Sequence, residues 1–116
     1  MSEQGLTRAI IQALTAKRVW CWRNNSGGTV VKGAIKDRFI RLSPAGSPDI
    51  MGVIGSGKMF GLEVKAGNGK QSESQKEWQA KALDHCVYYV VVRSIAEALS
   101  AVDTWQAIEA ARNIGV

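Results

Sequence analysis

The feature that most constrains this chain is a hairpin signature in its middle. Residues 49–54 (Asp-Ile-Met-Gly-Val-Ile) form an apolar run, Gly55-Ser56-Gly57-Lys58 interrupts it, and a second apolar run covers 59–66. A glycine-bearing turn between two β-prone runs predicts two paired antiparallel strands. Strand side chains alternate between faces. Phe60, Leu62 and Val64 therefore point into a core, while Gly61, Glu63 and Lys65 point the other way. Asp49 opens the first strand. Neighbouring strands run about 4.8 Å apart, so its carboxylate and that of Glu63 can converge on one ion.

Helical patterns flank this unit. Leu6, Ile10, Ile11 and Leu14 recur at helical spacing and predict a helix over 3–18, closed by Lys17 and Arg18. Ser72-x-x-Gln75 and Ser74-x-x-Glu77 are both capping-box patterns, predicting a helix from 72–75 to about His85. Residues 19–23 read as a strand, 24–28 as a loop or turn, and 29–42 as one or two short strands broken at Gly33. Two prolines and a glycine make 43–48 a loop. The run 87–92 is apolar, β-branched and aromatic, which predicts a strand buried on both faces. Residues 95–102 read as a helix, and Asp103 as the N-cap of another running to Arg112. The expected fold is α/β, a mixed β-sheet flanked by helices, with elements in the order α-β-β-β-α-β-α and the last helix split in two.

Composition sets the outer bounds. The 116 residues are 46% hydrophobic and 22% charged, as expected for one globular domain. The net charge of +5 favours an anionic partner. The longest apolar run, 86–92, is too short to cross a bilayer, and no basic-then-apolar leader opens the chain. No membrane partner is expected, and the expected location is a reducing cytoplasm. Two cysteines without a Cys-x-x-Cys pair, and one histidine, leave no disulfide scaffold or Cys/His zinc site. Cys86 adjoins His85, but sequence neighbours rarely form a nucleophilic dyad.

Two carboxylates and a lysine on one strand face suit phosphodiester hydrolysis. A hard divalent cation takes oxygen ligands, needs only one or two carboxylates, and both neutralises a phosphate and activates water. The Val64 carbonyl is a candidate further ligand, and Lys65 can position the attacking water. Glu-x-Lys alone is more often a surface ion pair. Pro48-Asp49, then a strand, a glycine turn, Glu63-Val64-Lys65 and a capped helix together form a more specific pattern.

Gly46-Ser47-Pro48-Asp49, Glu63-Val64-Lys65 and the helix bearing Gln75 resemble the PD-(D/E)xK nuclease pattern. More narrowly, they resemble the virus-type replication-repair nuclease (VRR-NUC) domain in its stand-alone phage form. The leading helix with Glu3, the segment Trp22-Arg23-Asn24-Asn25-Ser26-Gly27 and Gln71-Ser72-Glu73-Ser74-Gln75 leading to Trp78 fit that branch too, so the likeness spans about 3–99. The resemblance implies a restriction-endonuclease-like core. It implies Asp49 and Glu63 as ligands of Mg²⁺ or Mn²⁺, Lys65 as the catalytic lysine, Glu3 as a further acidic ligand or outer group, and Gln75 facing the site. It also implies a homodimer cutting branched DNA such as four-way junctions. A capping role for Gln75 and a helix-dipole role for Glu3 are the structural alternatives.

Arg23, Lys32, Lys36, Arg38 and Arg41 set five positive charges against Asp37 over 23–41, where they could track phosphates together with Asn24 and Asn25. The alternative is a solvated hairpin face. Ser47 and Lys70 are further candidate nucleic-acid contacts, and Lys58 and Lys76 lie in similar terminal positions. Trp20 and Trp22 share one face of their strand, which leaves an aromatic surface for a core or a dimer. Competing functions are a nuclease for flaps, nicks or unspecific duplex, and a non-catalytic nucleic-acid-binding module.

Overall fold

The structure is a computed structural model that describes residues 1–24, 28–41 and 43–114. Its elements in chain order are α1 (Glu3–Ala16), β1 (Trp20–Arg23), β2 (Gly28–Val31), β3 (Arg38–Arg41), β4 (Ile50–Val53), β5 (Met59–Val64), α2 (Glu73–Asp84), β6 (Tyr88–Val92) and α3 (Ile95–Ile114). The result is a mixed sheet flanked by helices. Strand order is β1-β4-β5-β6, antiparallel up to β5, with β6 parallel to β5. No helix among the described residues is long and apolar enough to cross a membrane.

The central hairpin forms as its composition dictates. Gly57 takes a φ of +91° in the turn, and the Ile54 amide donates to the Lys58 carbonyl at 3.0 Å. Phe60, Leu62 and Val64 are buried with Ile50 under α1 and α3, against Leu6, Ile10, Leu14, Val102 and Trp105. That face of the sheet is dry and closed. The register puts Trp22, Met51, Gly61 and Tyr89 in one row on the other face, and Trp20, Val53 and Met59 in the next. Helix α2 covers only the β6 side of this second face, where Trp78 packs on Tyr89 with ring centroids 5.7 Å apart.

Several expectations are corrected. Helix α1 stops at Ala16, two residues early, because Arg18 adopts a φ of +63° and the Val19 amide turns back to the Leu14 carbonyl at 3.0 Å. The Ser72/Gln75 capping box forms in both halves and starts α2 at Glu73, so the Ser74/Glu77 alternative is not the cap. Strand β6 is a half-buried edge strand, not one buried on both faces: only Val92 is fully buried, and β5 is its one sheet partner among the described residues. The two C-terminal helices are one. Asp103 does not cap a break; its carboxylate faces Lys17 of the α1 C-cap at 3.4 Å, and the helix-forming neighbours carry α3 through.

The stretch 28–41 holds β2 and β3, which among the described residues pair only with each other, Val30 opposite Phe39 and Val31 opposite Arg38. Gly33 marks the tight link, since a Cβ there would strike the Lys36 carbonyl. Val30, Ile35 and Phe39 are exposed, so these apolar side chains of the arm are not packed into a core.

Candidate metal centre

The Pro48-Asp49 step is seated on β5 by the missing side chain of Gly61. A Cβ at Gly61 would lie 2.6 Å from Pro48 Cγ, so the space that glycine leaves holds the proline ring. Backbone pairing between β4 and β5 ends at Ile50 and Leu62. Beyond it the Asp49 side chain continues the ladder, Oδ2 accepting from the Val64 amide at 2.7 Å. Asn24 braces the same step from β1's end: its amide donates to the Asp49 carbonyl at 2.7 Å and its Nδ2 to the Pro48 carbonyl at 2.9 Å. The glycine turn before it is tight, because Gly46 (φ +80°) abuts the Ser74 carbonyl at the start of α2. Ser47 is buried in that turn, its hydroxyl donating to the Pro44 carbonyl at 2.7 Å. Asn24 and Ser47, expected on a DNA-facing surface, thus have demonstrable work inside the site's scaffold.

Glu63 is the unusual residue. It is 2% exposed, and its Oε1 has no hydrogen-bond partner among the described residues. Burial, then hydrogen bonding to and repulsion from the neighbouring Asp49 carboxylate, push its pKa up to about 9, and only Lys65 opposes them appreciably. Without a cation Glu63 is therefore protonated at neutral pH. A buried carboxylate oxygen with no donor, beside a second carboxylate, is what a hard divalent cation completes, since the ion replaces both the missing partner and the proton. The donor set is all oxygen and fits Mg²⁺ or Mn²⁺. Among the described residues no three His, Cys, Asp or Glu side chains surround one point. Water and substrate oxygens would supply the remaining positions, as is usual for Mg²⁺.

Glu3, first residue of α1, reaches over the end of β5. Its Oε2 accepts from the Ala66 amide at 3.3 Å, and its charge adds to the upward pressure on Glu63. It borders the pair rather than joining it. Lys65 forms no ion pair among the described residues, and its Cδ and the Glu3 carboxylate both lie against Gly69, where a Cβ would sit 3.5 and 3.3 Å from them. The 67–70 loop is thereby packed onto the lysine and Glu3.

Gln75 spends its Oε1 on the capping box, accepting from the Ser72 amide at 2.8 Å. The glutamine that reaches the sheet is Gln71, whose Nε2 donates to Tyr89 Oη at 3.0 Å and Gln79 Oε1 at 2.9 Å. Tyr89 sits beside Gly61 in register, and burial followed by the charges of Glu63 and Asp49 helps push its pKa up to about 12, with Gln71 opposing. Tyr89 escaped the sequence analysis, and Gln71 entered it only as the first residue of the 71–75 motif, with no contact assigned to it. The alternation of β6 would have placed Tyr89 on this face, had the parallel pairing with β5 been known.

The basic residues separate into groups. Arg23 ends β1 and is exposed. Lys32, Lys36 and Arg38 are exposed on the arm, where Lys32 pairs with Asp37 at 3.0 Å. Arg41 stands in β3 with its side chain outside the described part, and Asn25 lies outside the described residues. Lys70 is exposed in the 67–70 loop, on the site's side of the sheet. His85 is held at the α2 C-cap, Nδ1 donating to the Lys81 carbonyl at 2.8 Å, with Cys86 exposed after it. No family model matches the chain, and a search of curated proteins found none similar to it.

Proposed function

We propose that this protein is a Mg²⁺- or Mn²⁺-dependent DNA endonuclease of the VRR-NUC type within the PD-(D/E)xK nucleases, with a restriction-endonuclease-like core. The observation that carries the reading is the buried, partnerless Oε1 of Glu63 next to an Asp49 that is anchored on the same strand. Asp49, Glu63 and the Val64 carbonyl would hold the cation, which supplies charge neutralisation for the phosphate and a more acidic water. Lys65, unpaired on the same face, orients the attacking water and offsets phosphate charge. Glu3 keeps the end of β5 in place through the Ala66 amide. The arm, with Lys36 and Arg38, adds sequence-independent backbone contacts.

The substrate is branched DNA, four-way junctions above all, cut by a homodimer in the cytoplasm. Two symmetric nicks need two equivalent sites, which a twofold dimer provides. The exposed aromatic face of β1, with Trp20 70% exposed, supports a further partner surface. The test is cleavage of a labelled four-way junction beside duplex, flap and single-strand controls, with Mg²⁺, Mn²⁺ or EDTA and with Glu63→Gln. Paired symmetric nicks that need both metal and Glu63 are expected. Metal-dependent cutting of the controls in preference to the junction would remove the junction assignment. Tight, salt-sensitive binding with no cutting at all would favour a non-catalytic binding module.

A further inference from the structure

A second site borders the carboxylate pair. A cavity of about 400 Å³ is lined by Lys70, Gln71, Lys76, Val91 and Arg93. Three of its five walls are cationic, and nothing described above uses it. Its place is fixed by β6: Val91 lies opposite Glu63 in the parallel register, so the cavity is one strand away from that carboxylate on the same face. Its rim is the 67–70 loop, which also packs on Lys65 and Glu3 at Gly69.

Arg93 is preorganised there. Its two terminal nitrogens donate to the Gly67 and Gly69 carbonyls at 2.9 and 2.8 Å, which holds the guanidinium and the loop together. A guanidinium has five N–H donors, so three remain. Lys70 makes no ion pair among the described residues, and Lys76 has only an exposed contact with Glu73 at 3.6 Å. Gln71 has both amide protons on Gln79 and Tyr89, and so ties the cavity wall to the tyrosine beside Gly61. A fixed guanidinium with spare donors and two exposed ammonium groups match a tetrahedral oxyanion.

We infer that this cavity binds a second phosphate group of the DNA strand whose scissile phosphate lies on Asp49 and Glu63. The inference rests on the nuclease reading for its substrate, but the pocket itself is testable without cleavage. Two sources share the chemistry: the phosphodiester next to the scissile one, and a terminal phosphate at a strand end.

The probe is inorganic phosphate, titrated into the ¹⁵N-labelled full chain in EDTA at constant ionic strength. Saturable amide shifts are expected at Lys70, Gln71, Val91 and Arg93, and they should vanish in Lys70→Ala/Lys76→Ala. Both lysines are exposed, and the variant's spectrum reports directly whether it is folded. Shifts confined to the arm, or a non-saturating response, would overturn the pocket. With labelled junction DNA in Ca²⁺, the double variant should flatten the salt dependence of log K by about one, the one phosphate the cavity holds. An unchanged slope, alongside normal Mg²⁺ cleavage and KM, would discard the pocket while leaving the nuclease standing. Saturable phosphate binding lost in the variant, without any cleavage by the wild type, would do the reverse. Competition by tetrathymidylate separates the sources. Tighter displacement by the 5′-phosphorylated form, tenfold or more, assigns a terminal phosphate; equal displacement by the 5′-hydroxyl form assigns an internal one. Failure of both forms to displace inorganic phosphate would overturn a nucleic-acid ligand.

Discussion

Among the described residues two glutamates are buried, one on β5 and one on α3, and they face opposite fates. Glu109 of α3 accepts from Tyr88 Oη at 2.7 Å and Ser56 Oγ at 3.2 Å, with Arg112 at 3.6 Å, and these partners hold its pKa below the ordinary glutamate value. Glu63 has burial, an Oε1 without a partner among the described residues and an acidic neighbour in Asp49, and the opposite shift, to about 9. Glu109 ties the β4–β5 turn and β6 to α3, and Tyr88 in turn stacks on Trp105 at 5.2 Å. Both carboxylates are shielded from water, so burial alone does not distinguish a structural acid from a functional one. Partnership does. A carboxylate whose oxygens are satisfied strengthens the fold, whereas one left with an empty oxygen next to another carboxylate is a candidate for cation binding.

The sharpest way to break this comparison is Glu63→Gln. Cleavage should fall by ~10³-fold or more, the scale of several kcal/mol of lost cation stabilisation. Junction binding in Ca²⁺ or EDTA should change little, as measured by anisotropy. The same variant should lose the rise in Tm that Mg²⁺ gives the wild type. A glutamine variant that still cuts at near wild-type rate would move the site elsewhere.

The next effect is on stability against pH. In the unfolded chain Glu63 loses its proton near its ordinary value of 4.5, while in the fold it keeps it to about 9. Between those values the folded state binds the extra proton, so stability falls as pH rises, by up to about 1.4 kcal/mol per pH unit. Urea unfolding in EDTA from pH 5 to 9 should show this slope in the wild type, and Glu63→Gln should flatten it. Mg²⁺ should oppose the decline, since it favours the ionised form. A flat wild-type profile in EDTA would mean that Glu63 is already stabilised as an anion.

Gly61→Ala tests the scaffold rather than the ligand. Its methyl would press on the Pro48 ring, a crowding that typically costs about 1–3 kcal/mol. Because Pro48 carries Asp49, cleavage measured well below Tm should drop further than stability does. Equal retention of both would show that Pro48 yields without moving Asp49. Glu109→Gln should behave in the opposite sense: a lower Tm at neutral pH with cleavage at low temperature unchanged. Its pKa is depressed in the fold, so the stabilisation is present above the ordinary glutamate value and is lost as pH falls through the lowered one. The Tm gap between wild type and variant should therefore close in acid.

Sequence legibility follows locality. The hairpin turn at Gly57 and the Ser72/Gln75 capping box are decided by neighbours a few residues apart, and both were readable. Asp49 and Glu63 were readable as a pair because one turn joins their strands. What Gly61 does was not, since the proline that fills its space arrives from outside the strand. The continuity of α3 was not, because Asp103 is compatible with a cap as well as with a helix interior, and the Lys17 its carboxylate meets lies 86 residues away. Tyr89, Arg93 and the cavity that Arg93 lines required the parallel β5–β6 pairing, which the intervening α2 hides from any local pattern.

Tyr89→Phe carries the smallest expected effect and separates two origins of the Glu63 shift. The tyrosine feels the carboxylate pair, yet Glu63 is raised by burial, Asp49 and Glu3, with Lys65 opposing. A phenol with a pKa of about 12 stays protonated through the working range and contributes no charge. Removing its hydroxyl frees one proton of the Gln71 amide, which keeps Gln79, at a cost of about 0.5–1.5 kcal/mol in stability. The pH dependence of stability in EDTA should keep its shape, and Mg²⁺ affinity should move less than about threefold, under 0.7 kcal/mol. A shifted profile in the phenylalanine variant would mean that Tyr89 donates to Glu63 Oε1 in solution. That oxygen would then be a satisfied one, like those of Glu109, and the argument for a cation would rest on Asp49 alone.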